Sequence, residues 1–509
     1  MKENSHDESA AVSAPRRRFL KQVAVTGATA GAAAALPALA QEGTVARKPT
    51  LAKGQVSVAE TLARYALNLK YENLPPDVLR VAKRTILDTI GCAIGGYSAG
   101  PSKIAVKVAG TVSAKDGATV LCSGIKTSPD LAAFADGVMI RYLDFNDGYI
   151  AVGTGGHPSD MIAAVLPTAE VAGLGGRDLI LGTVLAHEVF CKVSDVQNTR
   201  GLGLDHATVT GLAAVVAAGR LMGLTEKQLV HAIGIEVGGN TAINQGRVGT
   251  LSNWKAFASA EACRKAIFAA QLAQAGMTGP DPVFEGRDGF FNVILREPFQ
   301  LPKLGGADAP FGIMHAFTKR FPLGQYAQTV AQAAVESRQY FKDPAEIQEI
   351  NLRISHNAII VMADTPDKWH PTSHETADHS IPYSTGVALM TGTITDEYYD
   401  GEHLHDKRLL DLVSRVKVIH LPEADRVENE YNLCELELVL KSGARKNVRV
   451  EYHRGHWKNP MTDAEMEEKF RLLAKRQLPT ARIDTLLKQL WALEDVSNIR
   501  ALVEMTRAA

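Results

Sequence analysis

Neither a dinucleotide-binding fingerprint nor a phosphate-binding loop occurs in this chain of 509 residues. The Gly-x-x-Gly texture of its first half follows no strand, so it points to close packing of helices rather than to phosphate binding. No Gly-x-Ser-x-Gly elbow is present, which removes the serine-hydrolase reading. The five cysteines, Cys92, Cys122, Cys191, Cys263 and Cys434, are far apart and form no Cys-x-x-Cys pair. A zinc or iron–sulfur site therefore has no supporting spacing. Cys92, Cys191 and Cys263 lie in apolar helical runs and read as small core residues. A disulfide is allowed in an oxidising compartment but is not required. The formal net charge of −1 gives no global pull towards nucleic acid or an anionic membrane. Any cationic site for an acidic substrate must be local. Past Ala40 no apolar run is long enough to cross a bilayer, so the mature chain reads as soluble.

What is present begins with an address. Arg16-Arg17-Arg18-Phe19-Leu20-Lys21 is a twin-arginine pattern. It precedes an Ala/Gly-rich apolar stretch from Val23 to Leu36, and Ala38-Leu39-Ala40 supplies a small-x-small cleavage site. Residues 1–40 are thus expected to be a twin-arginine signal peptide. The expectation is cleavage near Ala40 and delivery of a folded protein to the periplasm by that export machinery.

From Val56 to about Gln274 the chain reads as helix after helix. Val78, Leu79, Val81, Ala82, Ile86, Leu87 and Ile90 recur at helical spacing after Pro75-Pro76. Gly91, Gly95 and Gly96 would let another helix come close. Further helices are expected at Ser159–Ala172, Asp178–Val193, Ala207–Met222, Glu226–Val237 and Lys255–Ala275, several with Ala and Gly on many faces, as in a buried helical interior. After Pro322 the period changes. Ile347–Ser355, Val416–Leu421, Cys434–Leu440 and Asn447–Tyr452 alternate as strands, and Lys441–Ala444 reads as a hairpin turn. Thr462 and Glu465 form a capping box that opens the closing helices. The fold class expected is mainly α: a large all-helical domain (55–318), a smaller α+β lid (319–455), and C-terminal helices (456–509) returning to the large domain. A cleft between body and lid is the natural binding place.

Asp144-Phe145-Asn146-Asp147 and His157-Pro158-Ser159-Asp160 crowd carboxylates and an imidazole into one Gly-rich stretch. Such a set suits proton abstraction next to a carbonyl, and equally suits metal binding or capping of the helix after Ser159. His206 opens an Ala-rich helix, where backbone N–H groups favour an anion. Lys255 is the only cation in the first turn of its helix and can hold a carboxylate as a point charge. Lys319 and Arg320 stand at the junction of the two domains. Asp378-His379-Ser380 enters an apolar helix; Tyr383 on it is either core or a donor to a developing enolate oxygen. The inventory of His, Lys, Asp and Tyr suits forming and stabilising a carbanion next to a carboxylate, without a required cofactor.

Taken in order, these segments resemble the MmgE/PrpD family. The carriers are Arg84-Thr85-Ile86-Leu87-Asp88-Thr89-Ile90-Gly91-Cys92, Leu143–Asp147, His157-Pro158-Ser159, Asp205-His206-Ala207-Thr208, Trp254-Lys255, Lys319-Arg320-Phe321-Pro322, Thr376–Tyr383, and Asn459-Pro460-Met461 before Glu468-Lys469-Phe470. The resemblance implies a homodimer and a metal-independent, cofactor-free site for small di- or tricarboxylates. It also implies His206 as the proton-transferring group and Lys255 as the holder of a carboxylate and of enediolate-like charge. Asp144 and His157 would orient the substrate or relay protons, and Tyr383 would hydrogen-bond from the lid side. Lys319, Arg141 and Asn146 would bind substrate. The chain departs from the family pattern at Arg141, Asn146 and Gly148, in the loop from Tyr149 to Gly156, and at Gly324-Gln325-Tyr326. The implied activity is dehydration of a 2-methylcitrate-like acid, with decarboxylation, epimerisation or bare carboxylate binding as the alternatives.

Overall fold

The computed structural model describes Lys48–Ala509 apart from Lys53 and residues 152–154. The expected signal peptide and its cleavage site lie outside the described residues.

The protein is mainly α-helical. The Pro76–Gly96 helix carries Pro at its first position and Asp77 in its first turn, where a missing N–H is not needed and a negative charge meets the helix dipole. Its glycines do what their spacing predicts. A Cβ at Gly95 would lie 2.7 Å from Leu473 Cδ2, and one at Gly91 would lie 3.0 Å from Phe470 Cδ2. The Asp463–Ala474 helix, capped by Thr462 and Glu465, therefore packs directly on Pro76–Gly96. Pro129–Tyr142, Gly176–Ser194, Ala207–Leu221 and Trp254–Gln274 form the interior of one large core. Ala207–Leu221 is buried on almost every face, which its small side chains allow.

Two details differ from the sequence reading. The first part is not purely helical: Ala118–Thr119 pairs antiparallel with Lys126–Thr127. The helix expected from Ser159 begins as a 3₁₀ turn, Pro158–Met161, and becomes α-helical only over Ile162–Val171. The Ser159 N–H is held by the Asp147 carboxylate at 3.0 and 3.1 Å, so Asp147 does act as a cap, but for a tight turn.

A second core gathers around a four-stranded sheet. Its order is Val416–His420, Ile347–Ile354, Cys434–Leu440, Arg445–Val450. The first pair is parallel, with Ile350 opposite Val416; the other two pairs are antiparallel. Ile350, Leu352 and Ile354 are buried together, as their alternation predicts. The last strand starts two residues earlier than expected because the turn is tight: Leu440 N–H bonds the Ala444 carbonyl and Gly443 takes φ +85°. Among the described residues no helix is long and apolar enough to cross a membrane.

Candidate active site

The Pro129–Tyr142 helix ends where the Asp144 N–H bonds the Arg141 carbonyl. Asp144 then takes φ +47°, a left-handed conformation that costs a non-glycine residue energy and that Asp tolerates better than most. The turn aims the carboxylate inwards, at full burial. Arg141 Nη1 lies 2.7 Å from Asp144 Oδ1, Lys255 Nζ lies 3.0 Å from Oδ2, and Lys319 bonds Oδ1 as well as the Asp144 carbonyl. Burial alone would raise the Asp144 carboxyl. Arg141, Lys255 and Lys319 outweigh it and hold the group well below the ordinary carboxylate range. Lys255 also bonds the carboxylate of Asp378, and His379 Nδ1 stands 3.6 Å from Asp144 Oδ2. Among the described residues, Asp144, Asp378 and His379 bring ligand atoms close enough to hold a metal. The Lys255 ammonium sits between the two carboxylates and supplies the cation there.

Two imidazoles face the next layer. His157 Nδ1 lies 2.7 Å from the Asp147 carbonyl, so Nδ1 carries the proton and Nε2 accepts from Arg141 Nη2 at 2.9 Å. Burial, reinforced by Arg141 and Lys319, holds His157 well below the usual imidazole range. His206 starts the Ala207–Leu221 helix. Its Nδ1 lies 3.2 Å from Asp205 Oδ1, and Asp205 is fixed by Arg247 Nε at 2.6 Å and the Ala207 N–H at 2.9 Å. Its Nε2 lies 3.4 Å from Ser259 Oγ and 4.0 Å from Asp160 Oδ2. Burial pulls His206 down to about 3 despite Asp205, so the ring is a neutral base at pH 7. The two rings meet edge to face, 5.4 Å apart. Asp160 moves the other way: burial pushes it up to about 6, against Arg141.

These imidazoles open onto a cavity of about 230 Å³. Arg141, His157, His206 and Arg247 line it from the helical side, and Gln325, Tyr326 and His379 from the sheet-bearing side. Arg200 completes the wall and donates to the Tyr326 hydroxyl at 3.2 Å. Arg247 Nη2 and Gln325 Oε1 are buried without a protein partner, so the wall offers an unused donor and an unused acceptor to a ligand. Arginine forks, neutral imidazoles and a buried lysine pair suit an organic anion that gains charge during reaction.

The fold thus brings Arg141, Asp144, His157, His206, Lys255 and Lys319 into one cluster, although Asp144, Lys255 and Lys319 lie behind the cavity wall rather than in it. Asn146 is not part of the wall: its Nδ2 donates to Ser159 Oγ at 2.9 Å and to Asp160 Oδ1 at 2.7 Å. Tyr383 corrects the sequence reading. Its ring belongs to the second core, and its hydroxyl donates to the carbonyls of Tyr398 and His403 at 2.6 and 3.2 Å. The sequence reading gave no role to Arg200 or Arg247, which lie in short 3₁₀ turns without periodicity. It treated Asp378-His379 as a helix entry. Ser380 does cap that helix, through the Tyr383 N–H, and this local signal masks the neighbouring His379.

Residues 60–301 match the MmgE/PrpD N-terminal domain, and residues 321–493 match the MmgE/PrpD C-terminal domain. The chain is 28% identical over 472 residues to 2-methylcitrate dehydratase of Salmonella typhimurium, covering 86% of this chain and 93% of that one. Against 2-methylcitrate dehydratase of Cupriavidus necator the identity is 26% over 470 residues, with 87% and 94% covered. Against human cis-aconitate decarboxylase it is 27% over 473 residues, with 89% and 95% covered. With both domain models matched in order along most of its length, this chain belongs to the MmgE/PrpD family.

Proposed function

We propose that this protein is an exported lyase that dehydrates a small di- or tricarboxylate of the 2-methylcitrate kind without a cofactor. The observation that carries the reading is the placing of His206, oriented by Asp205, in the wall of a cavity whose charged lining residues, Arg141, Arg200 and Arg247, are all cationic. In this mechanism an acid lies with carboxylates on Arg247 and Arg200. His206 Nε2 takes the proton from the carbon next to a carboxylate. The electron pair spreads into that carboxylate as an enediolate, steadied by the cationic wall and by Lys255 and Lys319 behind it. The carbon–oxygen bond at the neighbouring carbon then breaks, the electron pair becomes the double bond, and the leaving hydroxide takes the proton back from His206 as water. The same carbanion serves decarboxylation or epimerisation.

The sheet-bearing segment is proposed as a lid over the cavity (319–455), followed by helices that rejoin the body (456–509). The mature protein is proposed to act as a periplasmic homodimer. The test is a panel of citrate-like acids against thermal stability, since a ligand that binds only the folded protein raises its apparent stability. Product analysis of any acid that binds then separates a new double bond, loss of CO2 and inversion. His206→Ala and Lys255→Ala should each abolish turnover; unchanged turnover in both would sink the proposal.

A further inference from the structure

Two residues in the segments that carry the family likeness, Asp88 of the Pro76–Gly96 helix and Lys469 of the Asp463–Ala474 helix, line no part of the cavity. They meet beneath it. Lys469 Nζ lies 2.7 Å from Asp88 Oδ1, with both side chains almost wholly buried. The same ammonium donates to the carbonyl of Phe145 at 2.7 Å and to that of Lys319 at 3.0 Å, and it stands 3.9 Å from the centroid of the Phe145 ring. All three of its protons are thereby used. The two carbonyls are not arbitrary. One follows Asp144 directly, and the other belongs to Lys319, whose Nζ in turn holds the Asp144 carboxylate and carbonyl. Asp144 sits at φ +47°, so its own backbone preference does not keep it there; surrounding structure must.

We propose that Lys469, with Asp88 as its counter-ion, is a positioning residue: by tying the Phe145 and Lys319 carbonyls to one point it registers Lys319 Nζ on the Asp144 carboxylate. The proposal rests on the reading of Asp144 and Lys319 as part of the reactive site. It also gives the Pro76–Gly96 and Asp463–Ala474 helices a shared task at that site.

The experiment uses the full chain with Asp88→Asn and Lys469→Met together, which removes both buried charges rather than orphaning one. Turnover of whichever acid the wild type converts should fall about 10–100-fold in kcat, with KM much less affected. The Lys319 ammonium, followed by nitrogen-15 lysine NMR and assigned with Lys319→Arg, should titrate below about 8, because a misregistered Asp144 carboxylate no longer supports its charge. Lys469→Arg is the second variant. It keeps the charge, so a purely structural role is satisfied, but a planar fork cannot repeat the three contacts; kcat should still fall and the Lys319 titration still move. A folded variant of either kind with both readouts unchanged overturns the proposal. If the wild type converts no polycarboxylate, the functional reading falls, and the Lys319 titration alone decides this one.

Discussion

Lys255 Nζ lies 3.0 Å from Asp144 Oδ2 while bonding the carboxylate of Asp378, so a single ammonium joins the loop after Tyr142 to the segment before the Ile381–Thr391 helix. The contact spans both cores. Lys255→Met is expected to abolish turnover and also to destabilise the protein by about 3 kcal/mol, because two buried carboxylates lose a shared partner. Denaturant unfolding checks the second effect. Adding Asp378→Asn to Lys255→Met should recover part of the stability and none of the activity. Recovery of activity would show that Lys255 serves only to neutralise Asp378.

Lys319 is expected to set the alkaline limit of turnover. Burial lowers its ammonium from the ordinary lysine value to about 8, with Asp144 opposing the shift. Above that pH the site loses a positive charge facing Asp144, so kcat should fall with an apparent pKa near 8. Stability carries the opposite sign for this group. The unfolded chain keeps the lysine proton to about 10.4, so between pH 8 and 10 the unfolded state binds more protons and folding gains from rising pH. In Lys319→Arg the guanidinium stays charged, and the alkaline fall in whatever activity remains should move up by at least about one pH unit. A limb that stays near 8 in that variant would assign it to another group.

Tyr383→Phe is expected to leave kcat within about twofold of wild type and to cost about 1 kcal/mol of stability, the usual worth of a satisfied buried hydroxyl. Its oxygen serves the Tyr398 and His403 carbonyls, not the cavity. A loss of more than about tenfold in kcat would return the hydroxyl to the reaction through a conformation different from this one.

The Tyr383 case marks where the sequence stops being informative. Asp378-His379-Ser380 marked the entry to its helix, and the helix is there. Which way a side chain faces once two cores pack is a tertiary matter that no local pattern encodes. The long Ala-rich helices and the alternating strands were legible because burial imposes a period on them. Asp144, His157, His206, Lys255 and Lys319 stood out as candidates because charge is conspicuous in apolar or Gly-rich surroundings, and only the family resemblance gave them roles. Arg200 and Arg247 did not stand out, since an arginine in a short turn looks the same in sequence whether it meets solvent or aims at a ligand. Their meaning arises only when Asp205, Tyr326 and the cavity come together around them. Asp88 and Lys469 belong to segments that were visible as signals yet had no visible purpose, because their partners are 381 positions apart and meet through a helix contact.

The departure at Gly148 has a steric cause in this chain. Gly148 and Phe317 exchange both backbone hydrogen bonds at 2.9 Å, and a Cβ on Gly148 would lie 2.3 Å from Phe317 Cζ. Gly148→Thr should therefore wedge the Phe317 ring away and cost about 1–3 kcal/mol of stability. The displaced bridge leads directly to Lys319, so kcat should fall with it. Phe317→Ala added to Gly148→Thr makes room for the new side chain, and the double variant should regain kcat relative to Gly148→Thr alone, although the lost ring leaves stability below wild type. A Gly148→Thr protein with wild-type stability and turnover would mean that the Gly148–Phe317 bridge yields without disturbing the site, and that substrate preference here is decided elsewhere on the wall.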